Sequence, residues 1–298
     1  MNFKVSVIVP AYNEALNIDI LLEELSKALS QEYEIIIIDD GSNDETYAIA
    51  EKARSKYPFL RVAQHNRNLG KTQTIITGAA IASGDILVVF DADLQFASSD
   101  IPRLIEKIDQ GADVCVGWKQ GKYEKWLVSS IYNYLARKIF KLEVHDINAV
   151  KAFRKEVLEQ IELRKDWHRY IVPLAAVRDY RITEIPVKLY PRRFGKPKYQ
   201  SPFRILIGFF DLLAVGFQMT FMRKPMLYFG AIGTVSIFLG FVIGIITVIL
   251  RLLGHGFRPL LYLVILLIIG GLMLFALGFL GEAVATITDR LEKLVKKS

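Results

Sequence analysis

The sequence predicts an α/β domain built on a mostly parallel sheet, followed by a two-helix hairpin that crosses a membrane. Three observations carry this. β-branched runs such as Ile35–Ile38 and Ile86–Phe90 alternate with helical patterns over residues 1–200, as expected where helices cover both faces of a parallel sheet. Each of these runs exits into acids: Asp39 and Asp40 after the first, Asp91 and Asp93 after the second. Two later stretches, Pro225–Leu250 and Pro259–Gly281, hold no charged residue, and each exceeds the roughly 20 apolar residues a bilayer core requires.

In order along the chain, Lys4–Val9 reads as a strand that leaves through the turn Pro10–Asn13 into a helix over Ala15–Leu29. Glu34–Ile38 is a buried strand by composition and Arg61–Gln64 a weaker one. A helix over Lys71–Ala82 precedes the strand Ile86–Phe90, and a helix over Ile101–Ile108 precedes the strand Val114–Gly117. A helix runs from Trp126 to Phe140, Ala149–Phe153 is a strand at the sheet edge, a helix starts at Lys155, and Glu184–Leu189 is strand-like. Pro191–Pro202 is Pro-rich and basic, a linker. Ser201–Met222 is apolar yet contains Arg204, Asp211 and Gln218, which reads as a helix lying in the membrane interface. The alternative, a third span, would set Arg204 and Asp211 in lipid. The domain expectation is therefore residues 1–200 catalytic, 201–224 interfacial, 225–281 the two spans (225–250 and 259–281), and 282–298 a tail.

Charge orients the hairpin. Arg223 and Lys224 precede the first span, and Arg290, Lys293, Lys296 and Lys297 follow the second, against Arg251, Arg258 and His255 between them. The positive-inside rule puts the large domain and both termini in the cytoplasm. Met1 runs straight into a strand pattern with no basic n-region, so a signal peptide is not expected. The single Cys115 fits a reducing compartment. Of the net charge of +7, six cations (Lys188, Arg192, Arg193, Lys196, Lys198 and Arg204) lie in one acid-free segment just before the membrane. They suit anionic membrane lipids or a phosphate that resides in the membrane. No groove-reading motif accompanies them, so nucleic acid is not an expected partner; a homo-oligomer is compatible with the sequence.

The chemistry is expected at the carboxyl ends of the strands, where ligands of open parallel sheets bind. Acids converging there repel unless a cation joins them, and hard oxygen ligands suit Mg2+ or Mn2+. Asp91 and Asp93 lie two apart after a strand, in register with Gln95, so an extended segment would turn all three the same way. No G-x-G-x-x-G follows the first strand and no P-loop occurs, which argues against a dinucleotide-dependent enzyme or a P-loop NTPase. A dehalogenase-type phosphatase would carry its aspartate pair at the first strand, and this chain does not. His65, His145 and His168 have no zinc-like spacing with Cys115.

The strings Val7-Ile-Val-Pro-Ala-Tyr-Asn-Glu14, Ile38-Asp-Asp-Gly-Ser42, Asn66-Arg-Asn-Leu-Gly-Lys71 and Asp91-Ala-Asp-Leu-Gln95 resemble the inverting family 2 glycosyltransferases of GT-A fold, a Rossmann-like, mostly parallel sheet with helices on both faces. Val116-Gly-Trp-Lys119, Tyr132-Asn133, His145-Asp146 with Lys151-Ala-Phe-Arg154, His168-Arg-Tyr170 and Pro191-Arg-Arg-Phe-Gly-Lys196 are similar to the branch of dolichyl-phosphate mannose synthases and polyprenyl-phosphate glycosyltransferases. The resemblance implies that Pro10, Tyr12, Glu14, Asp40, Asn68, Gly70, Lys71, Asp91 and Ala92 line the nucleotide pocket. It implies Asp91, Asp93 and Gln95 for the metal, and Lys119, Lys125, Ser129, Arg137, Arg192, Arg193 and Lys196 for the acceptor phosphate. Asp146 matches a residue proposed as a base, and Asp93 and Asp146 are the catalytic expectations. The implied reaction moves a hexose from a nucleotide-sugar onto dolichyl or undecaprenyl phosphate, GDP-mannose to dolichyl phosphate first, UDP-glucose as donor second. Because a phosphate monoester is largely dianionic near pH 7, Asp146 is expected to orient groups more than to remove a proton.

Three other readings compete. A processive polysaccharide synthase would carry Gln-x-x-Arg-Trp, which is absent. A non-catalytic protein that binds lipid-linked sugars would not need Asp40, Asp91 and Asp93 intact. A nucleotidyltransferase would release pyrophosphate.

Overall fold

In a computed structural model of the chain, residues 4–29, 32–121, 126–194, 203–221, 224–255 and 258–295 are described. The chain divides into two compact units, Met1–Ile205 and Leu206–Ser298.

The first unit is built on a seven-stranded sheet of β1 (Val5–Ala11), β2 (Tyr33–Asp39), β3 (Leu60–Gln64), β4 (Ile86–Val89), β5 (Val114–Gln120), β6 (Lys151–Arg154) and β7 (Ile182–Lys188), in spatial order β3-β2-β1-β4-β6-β5-β7. Ile35, Ile36, Ile37 and Ile38 are all fully buried. Neighbours on a strand face opposite ways, so β2 is covered on both sides, and an unbroken isoleucine run forms because neither face meets water. At the opposite end of the sheet the buried Glu34 accepts from Ser6 Oγ at 2.5 Å and from Ser83 N at 2.6 Å, and lies 3.4 Å from Arg61. An acid is tolerated there because its oxygens are bonded.

Strands β1 to β4 are mutually parallel, and β7 is parallel to β5. Strand β6 departs from the sequence expectation. It is not at the edge but inside the sheet, antiparallel to both β4 and β5, with Phe153 opposite Leu87 and Val114. Its four residues include two cations, which read as an edge. The flanking strands nevertheless bond it on both sides, and Lys151 is buried. Because β6 runs in reverse, its start arrives at the same margin of the sheet as the ends of β4 and β5.

The helices are α1 (Ala15–Ala28), α2 (Thr46–Ala53), α3 (Lys71–Ile81), α4 (Asp100–Asp109), α5 (Trp126–Phe140), α6 (Lys155–Gln160) and α7 (Ile171–Val177), with a 3-10 turn at Trp167–Tyr170. Helix α4 is the clearest amphipath, with Ile101, Leu104, Ile105 and Ile108 buried at helical spacing.

Helix α8 (Phe203–Phe221) crosses the division between the units. The second unit continues with a π-helical turn at Met226–Gly230, α9 (Ala231–Leu252) and α10 (Arg258–Val295). Two segments, Met226–Leu252 and Arg258–Thr288, are long and apolar enough to cross a membrane, and only 11% of each apolar window is buried within the protein. Core helices of that length would be covered, so these apolar faces suit lipid. Helix α10 runs on past Gly281, where the uncharged stretch ends. The two long helices approach closely where glycines meet. A Cβ on Gly233 would lie 2.6 Å from the Gly271 carbonyl oxygen. Glu282 accepts a hydrogen bond from Met226 N at 3.2 Å, which satisfies a helix-start N–H with an acid, the favoured polarity.

Candidate active site

The ends of β1 and β2 are tied together before any ligand arrives. Asn13 N donates to Ser42 Oγ at 2.8 Å and Asn43 N donates to Asn13 Oδ1 at 2.8 Å. Asp39 accepts from Ser42 and Gln64. Asp40 is 4% exposed and accepts from Leu69 N at 2.9 Å and Gly70 N at 2.8 Å, with His65 Nδ1 at 2.8 Å. Its carboxylate thus fixes the 68–70 loop that leads into α3. Gly41 has φ +70°, and a Cβ there would sit 2.6 Å from the Arg67 backbone, so only glycine lets this turn meet that loop. Pro10 and Tyr12 are half-exposed beside it and Asn68 is exposed.

Asp91 and Asp93 follow β4. The segment is a turn with Leu94 at φ +57°, not the extended run that strict alternation assumes. Each carboxylate already has a cation: Lys71 Nζ lies 2.5 Å from Asp91, and Arg192 donates to Asp93 at 2.7 Å and to Glu14 at 3.2 Å. Burial would raise Asp91, but the Lys71 ammonium holds it below the usual carboxylate range. Burial and the neighbouring Asp91 push Asp93 up to about 6, against the pull of Arg192. Gln95 bridges to the loop after β7: its Nε2 donates to the Tyr190 carbonyl at 3.2 Å, and Tyr190 N donates to the Gln95 carbonyl at 2.8 Å. Ala92 is buried. Among the described residues no group of three or more His, Cys, Asp or Glu has metal-holding geometry. The donor set is nonetheless suitable for a hard divalent ion. Asp91, Asp93 and Gln95 supply carboxylate and amide oxygens, the donor types that such an ion takes alongside substrate phosphate and water.

A second cluster sits at the ends of β5 and the start of β6. A cavity of about 180 Å³ is lined by Trp118, Lys119, Trp126, Ser130, Asn133, Tyr134, Arg137, His145 and Asp146. Lys119 Nζ lies 3.1 Å from Asp146 Oδ2, and Asn148 N donates to Asp146 Oδ1 at 2.9 Å. Both oxygens of this 2%-exposed carboxylate are engaged. The Arg137 Nε atom is buried with no hydrogen-bond partner among the described residues. Arg137 and Lys119 together give this cavity two cationic side chains, a lining suited to an anion.

Lys151 lies between the two clusters. Its ammonium is buried and donates to the Ile147 carbonyl at 3.2 Å. Burial and Lys71 push it down to about 7, against the attraction of Asp91 and Asp146. His168 packs against the start of α3, where its backbone N donates to Thr72 Oγ1 at 3.1 Å and its Nδ1 is 3.2 Å from the same oxygen. Burial, with Lys71, Arg169 and Lys151 nearby, lowers it well below its ordinary value.

The structure therefore gathers Glu14, Asp40, Gly70, Lys71, Asp91, Ala92, Asp93 and Gln95 around one place and Lys119, Arg137 and Asp146 around another. Arg192 stands with the first group, Arg193 pairs with Glu24 at 2.8 Å, and Ser130 lines the cavity where Ser129 does not. Lys125 and Lys196 lie outside the described residues. Sequence reasoning gave Lys151 no site role, missed Glu184, and on α5 named Arg137 but not Ser130 or Tyr134. Glu184 carries no local signal and is brought in by the pairing of β7 with β5, where it stands opposite Val116.

Comparison with known proteins places this geometry. The profile of glycosyl transferase family 2 matches residues 6–162. A dodecaprenyl-phosphate galacturonate synthase of Rhizobium johnstonii is 30% identical over 95% of this chain and 88% of its own length. An undecaprenyl-phosphate 4-deoxy-4-formamido-L-arabinose transferase of Klebsiella pneumoniae is 31% identical over 95% and 89%. In fold, the chain is similar to glucosyl-3-phosphoglycerate synthase of Mycobacterium tuberculosis in complex with Mn2+, UDP and glucosyl-3-phosphoglycerate, with a TM-score of 0.57, 19% identity and coverage of 73% of this chain and 80% of that one. The family match over more than half of the chain, and relatives aligned along almost all of it, establish that this protein is a member of glycosyl transferase family 2, a GT-A glycosyltransferase.

Proposed function

We propose that the protein transfers a sugar, with inversion, from a nucleotide-sugar to a polyprenyl phosphate at the cytoplasmic face of a membrane. The observation that carries this is the cavity beside the acidic turn. It is lined by the cations Lys119 and Arg137, in a chain whose second unit is apolar enough to lie in lipid. The curated relatives, named for dodecaprenyl- and undecaprenyl-phosphate, support the same acceptor class. Helix α5, which lines the cavity, also exposes Leu127, Ile131 and Tyr134, a surface suited to meeting an acceptor that arrives from a bilayer.

Pro10, Tyr12, Glu14, Asp40 and the Asn68–Lys71 loop would hold the nucleotide. Asp91, Asp93 and Gln95 would hold Mg2+ or Mn2+, which when bound offsets negative charge on the departing diphosphate. Lys71 and Arg192, freed from the carboxylates they now neutralise, are long and cationic enough to take phosphate oxygens. Lys119, Arg137 and the described face of α5 would seat the acceptor phosphate, with Lys125, Ser129, Arg193 and Lys196 as further candidates. Asp146, with both oxygens engaged, fixes Lys119.

The relatives' acceptors favour an undecaprenyl-type lipid over dolichyl phosphate. Their sugars, galacturonate and formamido-arabinose, put an acidic or amino sugar donor ahead of GDP-mannose and UDP-glucose. The test is a donor screen on full-length protein in detergent. UDP-galacturonate, UDP-glucose and GDP-mannose are each offered with undecaprenyl or dolichyl phosphate and Mn2+, and the lipid-phosphate-sugar is read by mass spectrometry. A single productive donor names the sugar. Nucleotide binding without a product from any pair would favour a non-catalytic binding protein.

A further inference from the structure

We propose that His145 is a catalytic residue that takes the proton of the acceptor phosphate, held for that task by Glu184 and Trp118. This rests on the acceptor reading of the cavity above.

Glu184 clamps His145 twice. One carboxylate oxygen accepts from His145 backbone N at 2.6 Å, and the other lies 2.5 Å from ring Nδ1. The ring stacks on the Trp118 indole at 4.1 Å and 15°. Its position and tilt are therefore set by β7 on one side and β5 on the other. A carboxylate facing Nδ1 places a ring proton on that nitrogen, and in the neutral ring this leaves Nε2 with a lone pair. No described residue bonds Nε2, and the ring lines the cavity. The arrangement of carboxylate, imidazole and open Nε2 is that of an oriented base.

The neighbouring groups exclude other bases in the cavity. Asp146 is engaged at both oxygens by Lys119 and Asn148. Lys119 is paired with Asp146, and the guanidinium of Arg137 has no acceptor atom. These, with Tyr134 and Glu184, are the charged and titratable groups that face the imidazole from β5, α5, β7 and the loop before β6. His145 is the one imidazole among the lining side chains.

The step balances without a co-reactant. A phosphate oxygen bonds to the anomeric carbon as the bond from that carbon to the diphosphate oxygen breaks, its electron pair leaving with the nucleoside diphosphate. Where the acceptor enters as a monoanion, its proton passes to His145 Nε2. Glu184 stabilises the imidazolium, which returns the proton to solvent after product leaves. The pair can thus carry one proton and still present a dianionic nucleophile.

Two measurements on the full chain in detergent test this. In the first, kcat/KM for the acceptor is followed from pH 5.5 to 9. His145→Gln should move the acid limb up by about one pH unit, a loss that approaches roughly tenfold only at the acid end of the range and vanishes as pH rises. Glu184→Gln should move it in the same direction by less. Uniform loss at every pH, with donor and acceptor KM changed alike, is the signature of a purely structural role and overturns the inference. In the second, 31P NMR follows a short-chain polyprenyl phosphate bound in the presence of nucleoside diphosphate. Its ionisation midpoint should rise in His145→Gln. Binding with the same midpoint in both proteins overturns the role of His145. Failure of the wild type to bind the phosphate overturns the acceptor reading itself, and this inference with it.

Discussion

Lys151 is a costly residue to bury. Its folded value of about 7 is far below the ordinary lysine value of 10.5, mainly because burial penalises the ammonium. Between pH 7 and about 10 the unfolded chain therefore holds the extra proton, and stability rises with pH across that window. Below pH 7 both states are charged and the whole penalty is present. Lys151→Met should stabilise the first unit at pH 7 by about 1–3 kcal/mol, net of the lost bond to the Ile147 carbonyl, and the gain should fade toward pH 10. Calorimetric midpoints across pH check this; a variant less stable at every pH would contradict it. Turnover should fall in the same variant, since positive charge between Asp91 and Asp146 is lost. Asp93→Ala should abolish turnover while leaving the thermal midpoint within a few degrees of the parent, and EDTA should abolish wild-type turnover. Full activity in EDTA would remove the metal from the reading. The acidic turn was legible in the sequence because its residues are contiguous. Lys151 and Glu184 were not, since each gains its meaning only through strand pairing between segments distant in the chain.

At the scale of elements, strands with unbroken β-branched runs were read almost to the residue, as β2 and β4 illustrate. Helix α2 was missed because Thr46–Ala53 shows only two fully covered residues, Thr46 and Ala50, too few for a periodic signal. Strand β6 was read as an edge because four residues flanked by charge cannot announce two partners. In the membrane hairpin the decisive feature is the contact of Gly233 with Gly271, where backbone meets backbone without side chains between. Gly233→Leu should force α9 and α10 apart there and cost about 1–3 kcal/mol, the usual penalty for overpacking. Thermal unfolding in detergent reads it, and an unchanged midpoint would show that the contact does not hold the hairpin.

For the whole molecule the testable quantity is sidedness. If the two long apolar helices both span, the chain returns to the side it left, and the basic flanks lead us to propose that this side is the cytoplasm. The only cysteine, Cys115, is buried, so it does not compete for a reagent. His255→Cys, in the exposed turn between the spans, should be labelled by a membrane-impermeant maleimide added outside intact cells. Labelling only after the membrane is opened would reverse the orientation and set the catalytic unit outside. The reversed strand β6 has a consequence of another kind. The residues assigned to the donor fall before position 96, Arg192 apart, whereas the described cavity residues assigned to the acceptor fall between 118 and 146. On the function proposed above, the two substrate preferences occupy consecutive stretches of one chain that meet at the margin where β4 and β5 end and β6 begins, so a lineage could exchange its sugar by drift or recombination in the first stretch and keep its lipid.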